Sequence, residues 1–135
     1  GEVPLLMAAE VDCVSSDGSG GLRDGYVELK TSKQLRTQHD FDNFQRHKLL
    51  KFWVQSFLAG VPSIVVGFRD DQGIVHELKA FDTKALHREP RSKGYWDPVV
   101  CMNFGKKVLE WLLAHLTQPD EAFKLVLRYE PAKRA

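Results

Sequence analysis

Apolar positions along the chain switch several times between strand-like and helical spacing. Residues 4–14 are apolar, lack a helix cap and run into the turn-rich stretch 15–21, which predicts a strand ending in a flexible loop. In residues 26–31, Val27, Leu29 and Thr31 share one side while Tyr26, Glu28 and Lys30 share the other. A second strand follows, and the two read as a hairpin with a long, mobile connection. From about Phe41 to Leu58 the spacing becomes helical, with Asp40 as N-cap and with Gly60 and Pro62 as a stop. Leu49, Leu50, Trp53, Val54, Phe57 and Leu58 form a wide apolar side of that helix, and Lys48, Lys51 and Gln55 form a separate polar stripe. The β-branched run 63–69, a turn at 70–73 and residues 74–81 predict another hairpin. The charged stretch 84–97 reads as an exposed connection. After Asp97-Pro98, apolar residues recur at helical spacing to about Leu116, and residues 123–129 predict a last strand.

The order strand, strand, helix, strand, strand, helix, strand implies an α+β domain, a mixed β-sheet flanked by helices, without repeats or linkers. At 135 residues the chain has the length of one domain, 1–135, and 43% hydrophobic with 27% charged residues is ordinary globular usage. No apolar run is long enough for a membrane helix and no basic flank opens the sequence, so the chain reads as soluble, without a membrane partner. Two cysteines, Cys13 and Cys101, are too few for a disulfide framework or a thiolate zinc site; they read as buried small residues in a reducing compartment. A net charge of +1 excludes nucleic-acid binding by bulk positive charge. The distribution is more informative. Residues 1–29 carry Glu2, Glu10, Asp12, Asp17, Asp24 and Glu28 against Arg23 alone, and residues 30–51 carry six cations against Asp40 and Asp42.

Those carboxylates fall in a pattern. Glu10 and Asp12 point the same way on one strand, and Glu28 and Lys30 do so on the next. Pairing the strands brings three carboxylates and an ammonium together, an arrangement that demands a cation. Hard oxygen ligands of this type suit magnesium or manganese. An acidic residue followed by Glu-x-Lys on an adjacent strand, here Asp12, Glu28 and Lys30, is also the pattern of the PD-(D/E)xK nuclease superfamily.

The longer text is more specific. Glu10-Val11-Asp12, then residues 25–33, then Arg46-His47-Lys48-Leu49-Leu50-Lys51-Phe52-Trp53-Val54-Gln55-Ser56-Phe57-Leu58, resembles the DXO family of decapping exoribonucleases. Gly60-Val61-Pro62, Gly67-Phe68-Arg69, Leu78-Lys79 and Cys101-Met102-Asn103-Phe104 extend the resemblance over residues 7–131. It implies a PD-(D/E)xK-like core and a magnesium- or manganese-dependent enzyme, with two ions, acting at RNA 5′ ends. The implied activities are decapping of incompletely capped and NAD-capped RNA, pyrophosphate removal from 5′-triphosphate RNA, and 5′→3′ exoribonuclease action, in the nucleus or cytoplasm. Carried over by position, Asp12 and Glu28 are metal ligands, Glu10 acts directly or through water, and the Leu29 carbonyl adds an oxygen. Lys30 and Gln55 orient the attacking water and the scissile phosphate. Lys48 and Lys51, with Arg46 or His47, are suited to phosphate contacts. Trp53 and Trp111 read as core residues, and the five histidines as surface or core groups.

The resemblance also implies two upstream motifs, one with an arginine near the substrate and one with a further metal-ligating glutamate, that these residues do not contain. The chain therefore corresponds to the C-terminal part of such a catalytic core, with part of the sheet missing. The remainder of the core is an expected partner, in another chain or a missing segment. The competing expectations are an excised piece and a short form that binds RNA and stabilises a partner 5′→3′ exoribonuclease without catalysis. A PD-(D/E)xK DNA nuclease shares the acidic core but not the text of residues 46–58.

Overall fold

A computed structural model describes residues 4–15, 25–115 and 128. Its central element is β2 (Tyr26–Lys33), flanked by β1 (Cys13–Val14) and β3 (Ser63–Arg69), with β4 (Val75–Asp82) at the far edge, in the order β1-β2-β3-β4. β1 and β4 run antiparallel to their neighbours, whereas β2 and β3 are parallel. A parallel pair needs a crossover, and the helical segment between these strands supplies it. The mixed sheet with helices is the architecture expected from the sequence, and both hairpins form. The long connection of the first hairpin and the strand expected over 123–129 lie outside the described residues.

The crossover opens with α1 (Gln38–Asn43), passes through a π-helical turn (Phe44–Lys48) and continues as α2 (Leu49–Ala59). Its N-cap is Thr37 and not Asp40. The Thr37 hydroxyl accepts from the Asp40 N–H while the Asp40 carboxylate accepts from the Thr37 N–H, a reciprocal capping box. Asp40 thus sits three positions inside the helix, where its charge also favours the helix N-terminus. Gly60 closes α2 in the left-handed conformation, φ 73°, as the sequence led one to expect.

The π turn has a packing reason. Phe44 and Leu49 both belong to the buried core, yet a five-residue interval on a regular α-helix turns about 140° away from its start. Bonding the Leu49 N–H to the Phe44 carbonyl absorbs the extra residue, so that Phe44, Leu49 and Trp53 face the sheet together. They pack on Ile64, Val66 and Phe68 of β3. Phe44 lies 5.4 Å from Phe68, and Trp53 lies 5.6 Å from Trp96, ring centre to ring centre.

Four expectations need correction. Residues 4–12 are not strand; only Cys13–Val14 pair with β2. Pro4, Leu5 and Met7 instead line a groove with Leu50 and Val54 of α2 and with Met102 and Val108 of α4 (Pro98–His115). The 84–97 stretch is not merely an exposed connection. It contains α3 (Arg88–Ser92), it buries Leu86, Pro90 and Trp96, and the Trp96 indole N–H donates to the Gln45 carbonyl at 2.9 Å. Helix α4 forms where expected, but it has no buried residue: Trp111 is half exposed, beside His115. Cys13 is exposed and Cys101 half-buried, so neither is a fully buried small residue. Among the described residues no helix is long and apolar enough to cross a membrane.

Charged residues of the 84–97 stretch clamp the crossover. Gln45 donates to Glu89 at 2.6 Å and accepts from Lys93 at 2.8 Å, and the Tyr95 hydroxyl donates to Asp42 at 2.7 Å. The Tyr95 bond, with one from Gln38, holds the Asp42 carboxyl below the usual carboxylate range, and the same bond pushes the Tyr95 hydroxyl up. A carboxyl lowered on folding stabilises the fold above its unfolded pKa, about 4, and that contribution fades as pH falls through the lower folded value. Asp42→Asn should therefore lower the melting temperature at pH 7, with the gap to the unmutated chain narrowing below about pH 4; a gap independent of pH would refute the assignment. Trp53, 2% exposed, has its indole N–H buried without a partner. Trp53→Ala should cost about 3–5 kcal/mol in urea unfolding, and Trp53→Phe distinctly less, because it keeps a ring and removes the unpaired donor.

Candidate active site

Period-two alternation puts Glu28, Lys30 and Ser32 on the face of β2 that α2 covers, and Val27, Leu29 and Thr31 on the other. The polar face is the buried one. Glu28 is 3% exposed, whereas Leu29 is half exposed. A carboxylate that far from water needs compensation, and Glu28 Oε1 receives it twice. Lys30 Nζ donates at 2.5 Å from the same strand, and Gln55 Nε2 donates at 2.7 Å from α2. Three of the residues singled out in the sequence therefore meet at one oxygen atom. Gln55 crosses from α2 to β2 to do so, the contact that its place on a polar stripe left open.

Asp12 joins from β1's side by a different route. Its Oδ2 accepts from the Leu29 N–H at 2.7 Å, next to Glu28 in the chain. In strand pairing Leu29 would face Val11, two residues along from the Cys13–Val27 pair. The Asp12 side chain takes the N–H that the Val11 backbone would have taken, which is why pairing stops at Cys13. Because the N–H and C=O of one strand residue point to the same side, the Leu29 carbonyl faces that same edge. Glu10 is exposed and makes no hydrogen bond or ion pair among the described residues, so the expected alignment of Glu10 and Asp12 on one strand face is not formed.

The remaining candidates separate. Lys48 Nζ donates to the Ser32 hydroxyl at 2.9 Å. Arg46 turns the other way, its guanidinium 4.5 Å from the centre of the Tyr95 ring. Lys51 and His47 are exposed and have no hydrogen-bonding or ionic partner among the described residues. Between Lys48 and Gln55 it is Phe52, not Lys51, that approaches β2, with Lys30 Nζ 6.0 Å from its ring centre. Ser32 and Phe52 were not singled out in the sequence. Ser32 was legible as the next position of the Glu28–Lys30 alternation; Phe52 was hidden by its apolar character.

Asp12 and Glu28 offer hard oxygen donors on either side of one peptide, the chemistry that magnesium or manganese takes through one or two carboxylates with water and phosphate oxygens. The two fit such an ion in part. Among the described residues no three His, Cys, Asp or Glu side chains group closely enough to hold a metal on their own.

A family model described as RAI1 like PD-(D/E)XK nuclease matches residues 1–135. The chain belongs to this nuclease family. It is 41% identical over 133 residues to the decapping and exoribonuclease protein of Homo sapiens, covering 97% of this chain and 34% of that one. It is 44% identical over 116 residues to the decapping nuclease RAI1 of Aspergillus fumigatus, covering 83% and 32%. Among solved structures, Candida albicans Rai1 in complex with pU5-Mn2+ superposes with a TM-score of 0.76 at 29% identity, over 90% of this chain and 34% of that one. The chain thus spans about a third of the length of the relatives it matches, and its mixed sheet and helices are part of the nuclease family's fold.

The Glu28–Lys30 pair is testable as structure. Lys30→Met leaves a buried carboxylate with only an amide donor and should cost about 3 kcal/mol. Adding Glu28→Gln to Lys30→Met should recover about 1 kcal/mol or more, a coupling readable in a double-mutant unfolding cycle. Strict additivity would mean the two groups do not interact.

Proposed function

We propose that the chain carries the catalytic strand and helix of a metal-dependent hydrolase acting at RNA 5′ ends. The reading includes decapping of incompletely capped and NAD-capped RNA, pyrophosphate removal from 5′-triphosphate RNA and 5′→3′ exoribonuclease action, in the nucleus or cytoplasm. The observation that carries it is the convergence of Lys30 and Gln55 on Glu28 Oε1, in a chain similar along nearly its whole length to decapping nucleases. The remainder of the catalytic core, from beyond these residues, completes the site.

On this reading each residue has a physical task. Asp12, Glu28 and the Leu29 carbonyl, with Glu10 directly or through water, would hold the two magnesium or manganese ions. When bound, such ions would supply charge neutralisation at the phosphate and a lowered pKa for a water nucleophile. Lys30 presents a fixed ammonium to the phosphate oxygens, where charge builds up in the transition state. Gln55 has one amide N–H on Glu28, which leaves its carbonyl able to accept from an attacking water and fix its direction. The burial of Glu28 keeps this arrangement out of bulk water, which strengthens each contact. Lys48 and Lys51 on the same helical segment are phosphate contacts for the RNA strand, and Arg46 and His47 flank them.

The test is hydrolysis of 5′-triphosphate RNA and unmethylated-cap RNA with magnesium or manganese, comparing the chain together with the remainder of the core against the same protein carrying Asp12→Ala and Glu28→Ala. The expected result is release of pyrophosphate or cap dinucleotide that EDTA abolishes and the double variant lowers by about a hundredfold or more, given that losing even outer-shell ligand partners costs about 10–100-fold. Equal activity in both would overturn the reading. RNA binding without hydrolysis would favour the non-catalytic role beside a partner exoribonuclease.

A further inference from the structure

The face of β2 that carries Glu28 and Lys30 continues to Ser32, and α2 with its π turn runs back along it. Three contacts follow in order: Gln55 on Glu28, Phe52 beside Lys30, and Lys48 on Ser32. At about 3.3 Å per residue, Ser32 stands about 13 Å along the strand from Glu28.

Ser32 is an unusual partner for a lysine. It is 2% exposed, and its hydroxyl donates to the Lys33 carbonyl at 3.2 Å, which leaves its lone pairs to accept from Lys48 Nζ at 2.9 Å. Lys48 itself is exposed and, among the described residues, is in no ion pair. Lys30 contrasts with it, since its charge is matched by Glu28 at 2.5 Å. A long, flexible side chain is therefore held at one place by a neutral, buried acceptor, with its full charge and two further N–H donors still to be used. Such an arrangement favours an anion arriving from solvent, because nothing in the fold has to be displaced to receive it.

We infer that Ser32 is a positioning residue, holding Lys48 as a contact for an RNA phosphate other than the scissile one, about 13 Å along β2 from Glu28. The inference rests on the RNA 5′-end reading above. Ser32 does not touch the RNA; it sets where the Lys48 ammonium stands. The contact is out of reach of a mononucleotide seated at Glu28 and available to a longer strand, so it favours RNA over free nucleotides.

The experiment is fluorescence-anisotropy binding of 5′-monophosphorylated pentauridylate, with uridine 5′-monophosphate as a competitor, across a salt series in EDTA so that no turnover occurs. Ser32→Ala should weaken the pentanucleotide about fivefold, the scale of one hydrogen bond, and leave the mononucleotide within about twofold. Its log–log salt slope should fall by about 0.7, the value for one single-strand phosphate contact. Lys48→Met should do the same, the double variant should be no weaker than Lys48→Met alone, and Ser32→Thr, which keeps the hydroxyl, should restore both affinity and slope. Equal weakening of both ligands by Ser32→Ala, or an unchanged salt slope, overturns the inference. Should Ser32→Ala fail to fold, Lys48→Met decides on its own, since that side chain is exposed: an unchanged slope overturns the inference and a reduced one supports it. Failure of the unmutated chain, together with the remainder of the core, to bind either ligand both in EDTA and with magnesium would overturn the functional reading and this inference with it, whereas normal binding with an unaltered slope in Lys48→Met overturns this inference alone.

Discussion

Burying the Glu28 carboxylate is the constraint on which the rest of the site depends. A charged group at 3% exposure is tolerated only where donors are fixed around it, and here they come from two elements, Lys30 on the same strand and Gln55 on the helix above. The requirement sets the register of α2 over β2. Sliding the helix by one turn would remove Gln55 from Glu28 and leave a buried charge with a single partner. The same register puts Phe52 beside Lys30 and Lys48 over Ser32, so one electrostatic demand orders the whole polar face.

That register is reached through the crossover. Thr37 and Asp40 start the helix, the π turn at Phe44–Lys48 re-phases it, and Gly60 ends it before β3. Without the extra residue in the π turn, Phe44 and Leu49 could not both face the core. The 84–97 stretch then holds the crossover from outside, with Trp96 on the Gln45 carbonyl, Tyr95 on Asp42, and Glu89 and Lys93 on the Gln45 amide. Hydrophobic packing beneath and polar bonds above fix the helix at the level where its side chains meet the strand.

The N-terminal segment shows the opposite economy. Asp12 uses its side chain to satisfy the Leu29 N–H and so ends β1 after two residues. Among the described residues β1 does not pair with β2 beyond Val27, and the Asp12 side chain takes the place of strand pairing at the Leu29 N–H.

Much of this was legible in the sequence. Among the described residues the order of the strands and the two long helical segments, the Gly60 stop, the hairpin at Asp70–Gly73 and the family resemblance follow from local periodicity, turn residues and motif text, which are properties of short stretches. That Glu28, Lys30 and Gln55 were candidates was legible for the same reason: they stand in recognisable motifs. What local pattern could not decide was which face of β2 is buried, because alternation defines two faces and hydrophobicity alone favours the one with Val27 and Leu29. Nor could it show that the charged 84–97 stretch places Leu86, Pro90 and Trp96 inside, that α4 leaves Trp111 half exposed, or that Pro4, Leu5 and Met7 line a groove with the helices while residues 4–12 stay out of β1. Each of these depends on what another segment, distant in sequence, presents to it. Sequence alone determined the chemistry available to this protein; tertiary structure decided which oxygen, ammonium and amide come within hydrogen-bonding distance, because only packing α2 over β2 turns a buried charge into a requirement that Lys30 and Gln55 both meet.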